Sequence, residues 1–141
     1  MKSERVFVDT NLFLRYLTND VPDQADAVEE LLRRAAAGNI MLVTNSLVLA
    51  EIIWTLESFY ALSKRAIHEK VLAILNTPGL EVIEVGLVLQ AITWYVKQNV
   101  DFIDAYNVAW LLDQDMNIAY TFDRKHFTRL PDVTVRIPGE Q

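Results

Sequence analysis

The sequence predicts an α/β domain with parallel strands, and three observations carry the prediction. Short apolar runs, too brief for helices, recur along the chain; longer segments of helical periodicity separate them; and acids or amides follow several of the runs. Strands separated by helices join by parallel crossovers, and in open α/β sheets ligands bind outside the strand carboxyl ends. The leading run is Arg5-Val6-Phe7-Val8, which suits a strand buried on both faces and gives way to Asp9-Thr10-Asn11.

The other elements follow in order. Asn11 is placed to cap a short helix through Leu12, Phe13, Leu14, Tyr16 and Leu17, and Asn19-Asp20 with Pro22 announces a second helix. There Ala25, Val28, Leu31, Leu32 and Ala35 recur at helical spacing, and Gly38-Asn39 ends the pattern. Ile40 to Thr44 reads as the second strand. Asn45 or Ser46 caps a helix from Leu47 to Tyr60 that is apolar almost all round, which predicts a largely buried element with Glu51 in its middle. Ser63 opens the next helix, with Ile67, Val71, Ile74 and Leu75 inward, and Thr77-Pro78-Gly79 closes it. Glu81 to Ile83 is a weak strand. Two helices follow, Leu87 to Gln98 and Phe102 to Asp113, then a strand at Ile118 to Thr121 and a last extended piece at Val133 to Val135.

Composition narrows the function classes. At 141 residues the chain reads as a single domain, 1-141, with enough length for a substantial core. The absence of cysteine excludes a disulfide framework and a thiolate metal site, and a cytoplasmic location is the default expectation. Met1-Lys2-Ser3-Glu4 leads into too few apolar residues for a signal-peptide core, and no membrane span is expected. A net charge of -6 and a pI near 4.8 argue against a broad basic surface for nucleic acid, so any such contact is local or helped by metal.

Four acids fall at or near strand carboxyl ends: Asp9, Glu51, Asp104 and Asp123. Each has an ordinary explanation. Asp9 can cap the turn after its strand; Asp101 and Asp104 can start a helix; Asp123 can cap a single turn from Arg124 to Phe127. Glu51 is harder to explain so, because in a buried helix an unpaired carboxylate requires a cation, a metal or a proton. Crossover-sized separations bring all four toward one edge, and the backward tilt of helical side chains aims Glu51 and Asp104 there. Crowded carboxylates repel unless a divalent cation neutralises them, and hard oxygen ligands select Mg²⁺ or Mn²⁺. Such a pocket suits phosphoryl chemistry.

No Ser-His-Asp or Cys-His arrangement competes, and there is no P-loop. Both histidines read as surface residues, His68 on a charged helix flank and His126 within Arg124-Lys125-His126. Arg124, Lys125 and Arg129 form a local positive patch beside Asp123 where a nucleic-acid backbone could rest, or simply a solvated turn.

Val8-Asp9-Thr10-Asn11, Ala50-Glu51, Asp101-Phe102-Ile103-Asp104-Ala105 and Thr121-Phe122-Asp123 with Phe127 resemble, in their order, the motifs of the PIN domain family, and more closely its VapC-type toxin branch. The resemblance runs from about Arg5 to Val135. It implies a three-layer α/β/α fold with a five-stranded parallel sheet, and a Mg²⁺- or Mn²⁺-dependent ribonuclease acting on single-stranded RNA. Asp9, Glu51 and Asp104 match the three core metal-binding acids, and Asp123 the more variable fourth. Asn11 and Thr121 match polar positions near the metal, and Asp101 is a cap or supporting acid. The resemblance further implies the toxin half of a toxin-antitoxin pair, an antitoxin covering the acidic pocket, and a homodimer; Trp54, Phe59, Tyr60 and Trp94 would suit its interface, with core packing the alternative expected for most of them.

Two rival readings stand beside it. A receiver or aspartate-nucleophile phosphatase also places Asp at strand ends, but Asn11 occupies the second position where such a phosphatase requires Asp, and Glu81 and Glu84 substitute poorly for a receiver's acids. A non-catalytic binding module of the same fold is the other.

Overall fold

The computed structural model describes residues 4–140; Met1 to Ser3, on which the reading of the N-terminus partly rests, lie outside the described residues. The chain divides into two compact units, the first ending at Val85 and the second beginning at Gly86.

The first unit runs β1 (Glu4–Phe7), α1 (Thr10–Thr18), α2 (Pro22–Ala36), β2 (Ile40–Thr44), α3 (Ser46–Ser58), α4 (Lys64–Leu75) and β3 (Leu80–Val82). Its three strands form a parallel sheet in the order β1-β2-β3, with Phe7 opposite Val43 and Thr44 opposite Val82. β2 is central, and its alternate residues Ile40, Leu42 and Thr44 are buried. Leu42, Leu49, Ile52, Leu56, Ile67 and Val71 are wholly shielded from water, each such burial worth roughly 1.5–3 kcal/mol.

Two details fix this sheet. The Thr44 hydroxyl donates to the Val8 carbonyl at 3.0 Å, and the Thr44 carbonyl accepts from Ile83 N–H, so one buried residue ties down the ends of both outer strands. Gly79 enters β3 with φ of 79°, its carbonyl accepts from Leu42 N–H at 2.9 Å, and a Cβ there would collide with the Ala35 backbone. Only glycine meets both demands without strain.

The predicted helices are present, with informative differences in their caps. Asp9, not Asn11, caps α1, its carboxylate accepting from Leu12 N–H. Asn45 and Ser63 cap α3 and α4 through their side chains. Asn19 does not start α2 but ends α1 in the left-handed region, leaving Pro22 to open α2.

β1 is not buried on both faces: it is an edge strand of its sheet, and Phe7 is 58% exposed. Nor is α3 buried all round. Val48, Leu49, Ile52, Ile53 and Leu56 face the core, while Leu47, Glu51 and Trp54 form an exposed stripe and Phe59, just past the helix end, is exposed. Uniform apolarity concealed which side packs.

The second unit holds α5 (Val85–Lys97) from Gly86 onward, α6 (Phe102–Asp113), β4 (Ile118–Tyr120), α7 (Arg124–Phe127) and β5 (Thr134–Arg136). Val88, Ala91, Ile92, Tyr95, Val100, Ala105 and Val108 form its core. β4 and β5 pair in parallel, Ile118 with Thr134 through Tyr120 with Arg136.

The five expected strands are therefore present and parallel, but divided three and two among the described residues rather than joined in one five-stranded sheet. β4 and β5 are three residues long, and their full length is used on each other. No helix among the described residues is long and apolar enough to cross a membrane.

Candidate metal centre

In the first unit the predicted acids stand in water. Asp9 directly follows buried Val8, at the strand end that Thr44 anchors, and its carboxylate is exposed while capping α1. Asn11 is exposed in the first turn of the same helix. Glu51 lies on the exposed stripe of α3, about one and a half turns from its start. The expectation that burial forces Glu51 to find a cation is thereby overturned, since an exposed carboxylate keeps its hydration.

The second unit brings two predicted acids together. Asp104 sits in the first turn of α6, and Asp123 caps α7. Ligand atoms of Asp104, Asp123 and His126 all lie within 4.8 Å of one another. Local structure explains each placement. Asp101 caps α6, accepting from Ile103 N–H at 3.2 Å, so Asp104 falls one turn start later. The Asp123 backbone N–H donates to the Thr121 hydroxyl at 2.9 Å, and its carboxylate accepts from Lys125 N–H at 3.1 Å, which orients the side chain at the strand exit. Buried Phe127 and Leu130 pin the turn to the core.

His126 is the residue that the sequence reading missed. It is half-buried, and its Nδ1 lies 3.1 Å from Asp104 Oδ2. Its neighbours Arg124 and Lys125 made it look like one more solvated charge. The available signal was its place three residues after Asp123, one turn of helix away, which sets both side chains on one face.

Electrostatics mark Asp104 out. Removal from water pushes its carboxyl above the ordinary 3.8; the hydrogen bond from His126 opposes the shift, and the charges of Asp101 and Asp123 add to it. A half-buried acid beside two others and an imidazole fits a divalent cation, which would relieve that repulsion and use those donors. Of the basic residues, Arg124 and Lys125 are exposed beside Asp123, whereas Arg129 donates to the Asn99 carbonyl at 2.6 Å.

Residues 6–133 match the family model of the PIN domain. Among solved structures, the chain is similar to the crystal structure of Mycobacterium tuberculosis VapC20, described as a sarcin-ricin loop cleaving toxin, with 23% identity over 86% of this chain and 92% of that one and a TM-score of 0.37. The search of curated proteins gives no match.

Proposed function

The chain belongs to the PIN domain family, and from that premise we propose that it is a divalent-metal-dependent endoribonuclease of the VapC branch that cleaves single-stranded RNA as the toxin of a type II toxin-antitoxin pair. The meeting of the Asp104 and Asp123 carboxylates beside His126 carries the reading. Family membership supports nuclease chemistry, and the order of the four motifs supports the branch. Asp9, Glu51, Asp104 and Asp123 are the assigned metal ligands, Mg²⁺ or Mn²⁺ the ion, and Asn11, Thr121 and Asp101 the supporting polar residues.

A cation held there supplies Lewis acidity, lowering the pKa of a water and stabilising charge on the leaving oxygen of a phosphodiester. The chain's residues supply placement. The Asp101 cap fixes the first turn of α6 and with it the Asp104 backbone. The Thr121 hydroxyl holds the Asp123 backbone. Arg124 and Lys125, exposed beside Asp123, attract the RNA backbone without reading sequence. The reading includes an antitoxin partner, a homodimer, a cytoplasmic setting and one PIN domain over 1-141. Trp54 and Phe59, 67% and 77% exposed, support a surface covered by protein.

The test is cleavage of a panel of single-stranded RNAs in Mn²⁺, with chelated and Asp104→Asn controls. Wild-type cleavage lost in both controls is expected. Cleavage retained by a pure, folded Asp104→Asn protein would overturn the reading.

A further inference from the structure

We propose that His126 is a nitrogen ligand of the divalent ion held by Asp104 and Asp123, and that it makes this site select Mn²⁺ over Mg²⁺. The inference rests on the metal-centre reading above and adds to it the identity of a donor and the preference that follows.

The geometry is the first support. Cis ligands about 2.1 Å from an ion and at right angles to one another lie about 3 Å apart. The His126 Nδ1 to Asp104 Oδ2 spacing is 3.1 Å, which suits a shared ion as well as it suits a hydrogen bond. Asp123 completes a group whose ligand atoms span no more than 4.8 Å. As a ligand, Nδ1 would present its lone pair to the ion, and the neutral ring would carry its proton on Nε2.

The second support is the rigidity of the imidazole's mounting. His126 lies in α7, which Asp123 caps at one end and the Thr128 hydroxyl, donating to the Arg124 carbonyl at 2.7 Å, secures at the other. Next to it Phe127 is buried, and two residues later Arg129 holds the Asn99 carbonyl in the loop before α6. The ring is therefore fixed beside Asp104 rather than free to swing into water.

The consequence for metal choice is chemical. Mg²⁺ favours hard oxygen donors and keeps much of its water, whereas imidazole suits the transition metals. An imidazole added to the carboxylates of this site accordingly favours Mn²⁺ beyond what carboxylates alone provide.

The experiment has two arms. Pulsed electron paramagnetic resonance of Mn²⁺ bound to wild-type protein carrying ¹⁵N-labelled histidine reads direct nitrogen coordination without any variant of the centre. The chain has two histidines, so His68→Gln assigns the signal. Calorimetric titration with Mn²⁺ and Mg²⁺ then compares wild type with His126→Ala. The expected result is a histidine nitrogen coupling that persists in His68→Gln, together with about a tenfold loss of Mn²⁺ affinity in His126→Ala and less than a threefold loss for Mg²⁺. Mn²⁺ bound without histidine coupling would overturn the ligand assignment alone, leaving the acidic centre intact. Equal losses for both ions would overturn the selectivity claim. Failure of wild type to bind either ion would overturn the metal-centre reading itself.

Discussion

Asp20 and Asp104 each accept a hydrogen bond from a ring-bearing side chain, yet their carboxyls move in opposite directions. Asp20, in the first unit, accepts from the Tyr60 hydroxyl at 2.7 Å and the Thr18 hydroxyl at 3.0 Å and pairs with Arg15 at 3.2 Å. The Tyr60 bond leads in holding it below its ordinary value, followed by that of Thr18. Asp104, in the second unit, has His126 as its donor but is drawn from water beside Asp101 and Asp123, and it rises. A hydrogen bond alone does not identify an acid's task. Donors surrounding an acid make it a scaffold group, and acids surrounding it leave room for a cation.

The sharpest way to break this comparison is to neutralise each acid in turn. Asp104→Asn should lower RNA cleavage more than about 100-fold, while Asp20→Asn should leave the rate of the folded protein nearly unchanged. Equal losses would erase the distinction. Thermal unfolding with Mn²⁺ sharpens it further. At about one hundred times Kd, the ion should stabilise wild type and Asp20→Asn by about 2.7 kcal/mol, but not Asp104→Asn.

Gly79→Ala tests the scaffold from another side. The positive φ and the approach to Ala35 predict a loss of about 2 kcal/mol or more in denaturant unfolding, with metal affinity of the folded protein retained. Thr44→Val removes the hydroxyl that holds the Val8 carbonyl and should cost about 1–2 kcal/mol.

The smallest effect is the one with the clearest sign. Because the folded-state pKa of Asp104 is raised, ionising it costs the metal-free protein stability as pH climbs from about 3.8 through the raised value. Asp104→Asn should then raise Tm at neutral pH, with the gain vanishing in acid. Asp20 runs the other way: its folded-state pKa is lowered, so its contribution is present above the ordinary 3.8 and lost as pH falls through the lowered value. Asp20→Asn should lower Tm at neutral pH and converge on wild type in acid.

Much of this was legible in the sequence, for identifiable reasons. Ile40–Thr44 and Phe102–Asp113 have the bounds that their patterns predict, because turn and cap residues flank them tightly. Asp101 and Asp123 were readable as caps because capping depends on local spacing. Burial was harder. Val6 and Phe7 in β1, and the apolar positions of α3, look alike in sequence whether a face is covered or bare, so β1 and Glu51 were expected to be more enclosed than they are. Long-range polar contacts left no pattern at all. Thr44 reaching Val8, Tyr60 reaching Asp20 and His126 reaching Asp104 depend on how elements pack, which no periodicity records.

The brevity of α7 has an evolutionary consequence. Within the turn that starts at Asp123, exposed Arg124 and Lys125 are followed by the half-buried His126 and buried Phe127. Substitutions at the two exposed positions can alter the charge of this surface without repacking the turn. Insertions cannot, because one added residue would rotate His126 away from Asp104 by about 100°. Lineages descending from this chain should therefore vary this surface by exchanging side chains at fixed length.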